Sequence, residues 1–402
     1  DEGKLISVIR TLTDNEEGKF VANRLYDQKT QDGLSYNDFA ILYRTNRQSR
    51  SFEEAFRKLN IPYKIYGGLS FYQRKEIKDL LAYFRLTTNP RDEEAFKRVI
   101  NYPKRGIGKT TIENLVIASN SYGMPIWDVV TNMTQYPVQI NGAARTKLEE
   151  FATMIRSFSA QLDKLNAYEL GQHIAKSSGI LKDLYAEKEK GPEEVERYQN
   201  IEELLGGLKE FTVSKQDGEP TGLDEFMIDV ALLTDADDDK GDEKNHVTMM
   251  TIHSSKGLEF RHVFLVGLEE NLFPSQMALQ SRTETEEERR LFYVAVTRAM
   301  ETCTITYAAS RFLFGSLTNS EPSRFIDEIH PKFLNFENLQ RGGGRSLNSG
   351  RPIMTTPGAG GLNRPMNTEP TTPSPRSMQN LKPVSRASGG NEGGTEYKVG
   401  YV

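Results

Sequence analysis

Cysteine is almost missing: Cys303 stands alone in a chain of 402 residues. One thiol excludes a disulfide framework and a thiolate metal site, and it fits a reducing, cytoplasmic setting. Histidine is scarce as well, and the five imidazoles show no metal-ligand spacing. No apolar run approaches the length of a membrane span, so no membrane partner is expected. The start, Asp1-Glu-Gly-Lys4, has neither an initiator Met nor a positively charged opening, so no signal peptide is read there.

The chain also lacks a phosphate-binding P-loop. Gly106-Ile-Gly-Lys-Thr110 ends like one, but GxxxxGK[ST] needs a first glycine where Pro103 stands, and no clean buried strand leads into it. The segment reads better as a glycine hairpin between helices. Lys104, Arg105, Gly106, Gly108, Lys109 and Thr110 would then face a nucleic-acid backbone. Locally, a plain helix–turn–helix corner fits as well. Val230–Asp235 imitates a strand ending in a magnesium-binding Asp, but its apolar positions continue a helical spacing from Phe226. With neither a P-loop lysine nor a strand-end acid, this chain alone is expected to be inactive as an ATPase.

Strand-like and helical patterns alternate over residues 1–86: strands at Lys4–Arg10, Asp38–Tyr43 and Pro62–Tyr66, helices at Asn15–Lys29, Gln48–Leu59 and Phe71–Leu86. Such alternation predicts an α/β parallel sheet. Residues 87–243 change to helical spacing throughout, with a long helix expected over Gly142–Asn166. An acidic linker, Asp235–Glu243, closes that insertion. Residues 244–335 return to α/β, with strands at Val247–Ile252, His262–Leu268 and Cys303–Ala308 and helices at Glu284–Met300 and Pro322–Ile329. One sheet domain interrupted by an all-helical insertion is the simplest topology. Residues 336–395 are rich in Gly, Ser and Pro and read as a disordered tail. Residues 396–402 read as the opening strand of a small module. Together the two ends lead us to expect a fragment of a larger protein.

The formal charge is −5, which by itself speaks weakly against nucleic acid. Distribution says otherwise. From Ile41 to Thr110, Lys and Arg outnumber Asp and Glu sixteen to seven. Such asymmetry is the footprint of a phosphate binder. The chemistry concentrates in Val247–Pro274, where His-Ser-Ser-Lys-Gly-Leu-Glu lies between two buried-strand patterns. Thr251, His253 and Lys256 offer donors there, although a lone loop histidine is more often a cap. Glu259 accepts only and suits hydroxyls such as those of a ribose. Arg298 follows the apolar helix face of Leu291, Val294 and Ala295, and a guanidinium there could reach a phosphate across a domain interface.

These blocks together are distinctive. TIHSSKGLEFRHVFLVGLEENLFP followed by EEERRLFYVAVTRA resembles motifs V and VI of the superfamily 1 DNA helicases of the UvrD/PcrA/Rep group. FAILYRTNRQSRSFEEAF resembles motif IV; IPYKIYGGLSFYQRKEIKDLLAYFR, NYPKRGIGKTT and SRFLFGSL are similar to further family segments in order. The resemblance covers residues 1–330. It implies the second RecA-like motor domain (2A, residues 1–86 and 244–335) split by the helical 2B domain (87–243). It also implies that residues 396–402 are the truncated start of a Tudor-like module, essentially missing from this chain, through which repair or transcription partners would be recruited. Activity would be ATP-dependent 3′→5′ unwinding or translocation in repair, recombination or replication, with ATP and Mg²⁺ held mainly by a first motor domain.

The same resemblance assigns roles to residues. Arg44 and Arg298 would contact the γ-phosphate, with Gly257 and Glu259 at the nucleotide and its ribose. Thr251, His253, Lys256 and Phe314 would lie on single-stranded DNA, and Lys104–Thr110 on the duplex. Two other readings remain: a non-catalytic DNA-binding or regulatory module, and a subunit of a helicase–nuclease, which the low-complexity tail disfavours.

Overall fold

The order of parallel strands sets where loops can meet, so the sheet comes first. In the computed structural model, which describes residues 3–216, 218–235, 245–313 and 316–337, the elements run as follows. The first α/β stretch holds β1 (Ile6–Thr13), α1 (Asp14–Asp32), β2 (Phe39–Tyr43), α2 (Ser49–Lys58), β3 (Tyr63–Tyr66) and α3 (Lys75–Thr88). Eight helices follow: α4 (Glu93–Val99), α5 (Lys109–Tyr122), α6 (Ile126–Thr131), α7 (Gly142–Ser159), α8 (Ala167–Ser177), α9 (Ile180–Glu187), α10 (Pro192–Ser214) and α11 (Leu223–Asp235). The chain returns through β4 (Val247–Thr251), β5 (Phe260–Leu265), α12 (Arg282–Val296), β6 (Ala299–Leu313), β7 (Ser316–Asn319), α13 (Arg324–Asp327) and β8 (Leu334–Glu337).

The sheet has eight strands in the order β3-β4-β2-β5-β6-β1-β8, with β7 off this path on β6. All pairs on the path are parallel; β7 pairs β6 antiparallel. The fold is therefore the expected mostly parallel α/β sheet carrying many helices. β2 is buried at every position, as a central parallel strand covered on both faces must be. One apolar core, with Val8, Leu42, Leu265, Phe292 and Ile305, lies under α12; another, with Val21, Ile41, Phe52 and Met249, lies under α1 and α2. A third runs from Phe71 to Val230 through the helices.

Several boundaries differ from the sequence reading for identifiable reasons. The helix expected over Gly142–Asn166 ends at Ser159, because Asn166 instead caps α8 in a reciprocal pair with Glu169. The helix expected to reach Met300 stops at Val296, since Ala299 already pairs with Phe260 in the β5–β6 ladder. β6 is far longer than Cys303–Ala308 because β5, β1 and β7 pair with successive parts of it. β8 carries described structure to Glu337, whose carboxylate pairs with Arg24 at 3.2 Å. Residues 236–244, Phe314, and the stretch from 338 through 396–402 lie outside the described residues.

Between the helical core and the sheet the joint is ionic. Arg50 of α2 is 3% exposed and contacts Glu203 (2.8 Å) and Glu210 (3.6 Å) of α10, Glu54 (3.1 Å), and Asp14 of α1 (3.7 Å). Arg74 donates to Asn200 of α10 at 2.8 Å. Burial, and then the neighbouring Asp14, push the Glu210 carboxyl from its ordinary 4.5 up to about 7. A raised carboxyl pKa in the folded state means that the folded chain holds a proton the unfolded chain has lost. Stability therefore falls as pH rises from about 4.5 to about 7. Glu210→Gln is expected to flatten that slope, which has a ceiling of about 1.4 kcal/mol per pH unit. Thermal unfolding of both proteins from pH 5 to 8 checks this; parallel curves would refute it.

Candidate nucleotide and nucleic-acid interface

Parallel strands send their loops to one edge, and β2 and β4 bring theirs together. Tyr43 is level with Thr251, and the Ile252 amide donates to the Tyr43 carbonyl at 2.9 Å, so His253 follows directly beside Arg44. The Thr251 hydroxyl accepts the Ser254 amide at 3.3 Å and shares a 2.9 Å hydrogen bond with the Ser254 hydroxyl. Thr251 therefore shapes the turn. The buried Ser255 anchors it, its hydroxyl donating to the Ile252 carbonyl at 2.8 Å. His253, Lys256 and Glu259 stand exposed. Partial desolvation, then the Arg44 charge, lower the His253 pKa, with Glu288 opposing. The ring is thereby biased toward its neutral form.

The segment then leaves that edge. Gly257 turns it with φ of 86°, a left-handed conformation costly to any residue with a Cβ. Residues 252–259 connect the end of β4 to the beginning of β5, which lies on the other side of β2. His253 accordingly lies at the β4 end of this connection and Glu259 at its β5 end, and the turns wound through residues 252–257 hold them well short of the roughly 20 Å that six extended residues would span.

Arg298 meets Glu259's end of that segment. Its Nη1 donates to the Leu258 carbonyl at 2.6 Å, its Nε to Val294 at 2.9 Å, and its own carbonyl accepts the Phe260 amide at 2.9 Å. Gly257, Glu259 and Arg298 are thus brought together. Arg44 is held elsewhere. Glu288 of α12 grips it through Nε (3.0 Å to both oxygens) and Nη2 (2.6 Å). Glu288 and Val294, the two anchor positions, are six residues apart along α12, roughly 9 Å of helix rise. The sequence reading above gives Glu288 no role of its own. A signal was present: Glu288, Phe292 and Ala295 recur at i, i+4 and i+7, and all three are buried.

Part of the expected cationic excess is already paired with carboxylates of the chain itself. Arg50, Arg57, Arg85, Arg91, Lys97 and Arg98 all form ion pairs. At the glycine hairpin, Arg105 turns inward. Its Nη1 donates to the carbonyls of Val99, Tyr102 and Pro103, and its Nη2 to Ser178 at 2.8 Å. It braces the turn instead of facing outward. Asn101 accepts the amides of Arg105 (2.9 Å) and Ile107 (3.1 Å), and Lys147 donates to the Arg105 carbonyl at 2.6 Å. Lys104, Gly106, Gly108, Lys109 and Thr110 remain exposed at the start of α5. Lys104, Arg105, Gly106 and Lys147 line an adjoining cavity of about 570 Å³. Among the described residues no three His, Cys, Asp or Glu side chains gather as metal ligands. Phe314 lies outside the described residues.

Residues 1–310 match the family described as the UvrD-like helicase C-terminal domain, and the chain belongs to that family. The chain is 41% identical over 337 residues to the ATP-dependent DNA helicase PcrA of Leuconostoc citreum, covering 83% of this chain and 44% of that protein. It is 39% identical over 329 residues to DNA helicase II of Escherichia coli (strain K12), covering 82% and 45%. It is 39% identical over 372 residues to the PcrA helicase of Bacillus subtilis (strain 168), covering 91% and 49%. The chain thus spans about half the length of the curated relatives it matches.

Proposed function

We propose that this chain is the second motor half of an ATP-dependent DNA helicase or translocase. It would comprise a 2A domain (residues 1–86 and 244–335) and a helical 2B insertion (87–243). The supporting observation is the direct link from Arg298 to the loop of Gly257 and Glu259 through the Leu258 carbonyl at 2.6 Å. A nucleotide touching either residue moves the segment that also bears His253 and Lys256. Two guanidiniums and an exposed acceptor fit a nucleoside triphosphate. Arg44 and Arg298 would meet its γ-phosphate and Glu259 its ribose. ATP, with its Mg²⁺, supplies the cleavable phosphoryl group, and the first motor domain holds most of both. Closure on ATP would shift the grip of Thr251, His253, Lys256 and Phe314 on single-stranded DNA. The polarity would be 3′→5′, in DNA repair, recombination or replication, in the cytoplasm.

The test supplies a P-loop motor domain in trans or in line. DNA-stimulated ATP hydrolysis should follow only when both halves are present, and unwinding should need a 3′ tail. Hydrolysis by the chain alone, or none by the pair, would overturn the reading.

The duplex grip separates by residue. Lys104→Ala is expected to weaken duplex binding across all sequences and to lower the slope of log K against log salt by about 1, with unfolding temperature unchanged. Arg105→Ala should lower affinity and unfolding temperature together, because it releases the carbonyls of Val99, Tyr102 and Pro103 at the turn and that of Ser178 at the end of α8. Fluorescence anisotropy over a salt series, with thermal unfolding alongside, checks both.

A further inference from the structure

We infer that Glu288 is a positioning residue that parks Arg44 away from the nucleotide until DNA occupies the neighbouring loop. The inference rests on the reading above that Arg44 meets the γ-phosphate. Glu288 takes two of the three guanidinium nitrogens of Arg44, with contacts of 2.6 and 3.0 Å, and the pair is shielded, with side chains 22% and 7% exposed. A guanidinium so held is charge-neutralised, and a carboxylate at that distance repels an incoming phosphate. The pair and a phosphate contact therefore compete for one cation.

Glu288 is well placed for this. It sits on the buried face of α12, with Ser275 Oγ at 3.5 Å from one oxygen, and α12 ends beside Arg298. His253 borders the same pair. It follows Ile252, whose amide is bonded to Tyr43, the residue before Arg44. A DNA strand drawing on His253 therefore acts next to the ion pair, and the turn that bears His253 continues into the segment anchored by Arg298. The charged groups that act on His253 are Arg44 and Glu288. Both members of the ion pair thus lie beside the loop that bears His253.

The experiment uses the complete two-motor protein with ATP and single-stranded oligonucleotide. Glu288→Gln is expected to raise DNA-free ATP hydrolysis about tenfold and to lower the DNA-free KM for ATP. The DNA-saturated kcat should stay within about twofold, so that the stimulation ratio collapses. Glu288→Asp, with its carboxylate one methylene shorter, should move the same way by less, and it serves if the Gln variant does not fold. An unchanged stimulation ratio, or equal losses with and without DNA, would overturn the inference. A wild-type protein without DNA-stimulated hydrolysis would instead overturn the functional reading beneath it.

Discussion

Arg298→Ala is expected to abolish ATP hydrolysis by the complete two-motor protein while leaving its affinity for single-stranded DNA within about twofold. An arginine supplied to a phosphoryl-transfer site is worth about 10³–10⁵ in rate, because it meets charge that develops only in the transition state. Here the guanidinium is anchored at the Val294 and Leu258 carbonyls and the Thr297 hydroxyl, at 2.9, 2.6 and 3.1 Å. None of those partners carries charge, so Arg298 keeps its full positive charge for a phosphate, unlike Arg44. Arg298→Lys should not restore activity, since an ammonium cannot hold two carbonyls and still present a flat donor edge. Leu258 is 44% exposed, so water replaces the lost donor at its carbonyl and stability should change little. Single-turnover hydrolysis with anisotropy on a labelled strand separates the two effects. Normal hydrolysis by the Ala variant would remove Arg298 from the site.

Much of this was legible in the chain. Period-two and continuous apolar runs located β1 to β6 except for their ends, because β2, β4 and β5 are buried on both faces and must be apolar. β7 and β8 were missed; at four residues each, they carry too short a pattern. The candidates His253, Glu259 and Arg298 were singled out by residue type and position, and the role expected of Arg44 came from motif resemblance. Their grouping was not legible, because register decides it: Thr251 opposite Tyr43 and Phe260 opposite Ala299 set which loop ends meet. Charge counting misled in a specific way. It tallied Arg50 and Arg105 as available for phosphate, yet one is surrounded by four carboxylates and the other by backbone carbonyls. Composition reports how many cations a segment has and nothing of which are already paired.

The same pairing yields the largest expected loss of stability. Arg311→Met should destabilise the fold by about 3–5 kcal/mol, the range for removing one partner of a buried ion pair. Arg311 of β6 contacts Glu269 at 2.7 Å, Glu17 of α1 at 2.8 Å and Asp14 at 3.6 Å. Glu17 and Glu269 are 0% and 1% exposed, so no water reaches the carboxylates left behind. Glu17 also accepts the Gly267 amide at 2.8 Å and the Thr306 hydroxyl at 2.6 Å, and Glu269 accepts the Ala308 amide at 2.8 Å. These bonds tie α1, β6 and the turn after β5 into one frame, at the strand edge that carries Arg44. Burial already raises the Glu17 pKa, with Arg311 the main force lowering it again. Without Arg311 that pKa climbs further, and a raised folded-state pKa returns stability as pH falls. The deficit should therefore be smaller at pH 5 than at pH 8. Adding Glu17→Gln and Glu269→Gln to the Met variant should recover part of the loss, since neutral amides cost less to bury than unpaired charges. Urea unfolding of the single and triple variants at both pH values reads all three effects. A deficit that ignores pH would mean that packing of the long Arg311 side chain, and not its charge, holds this frame together.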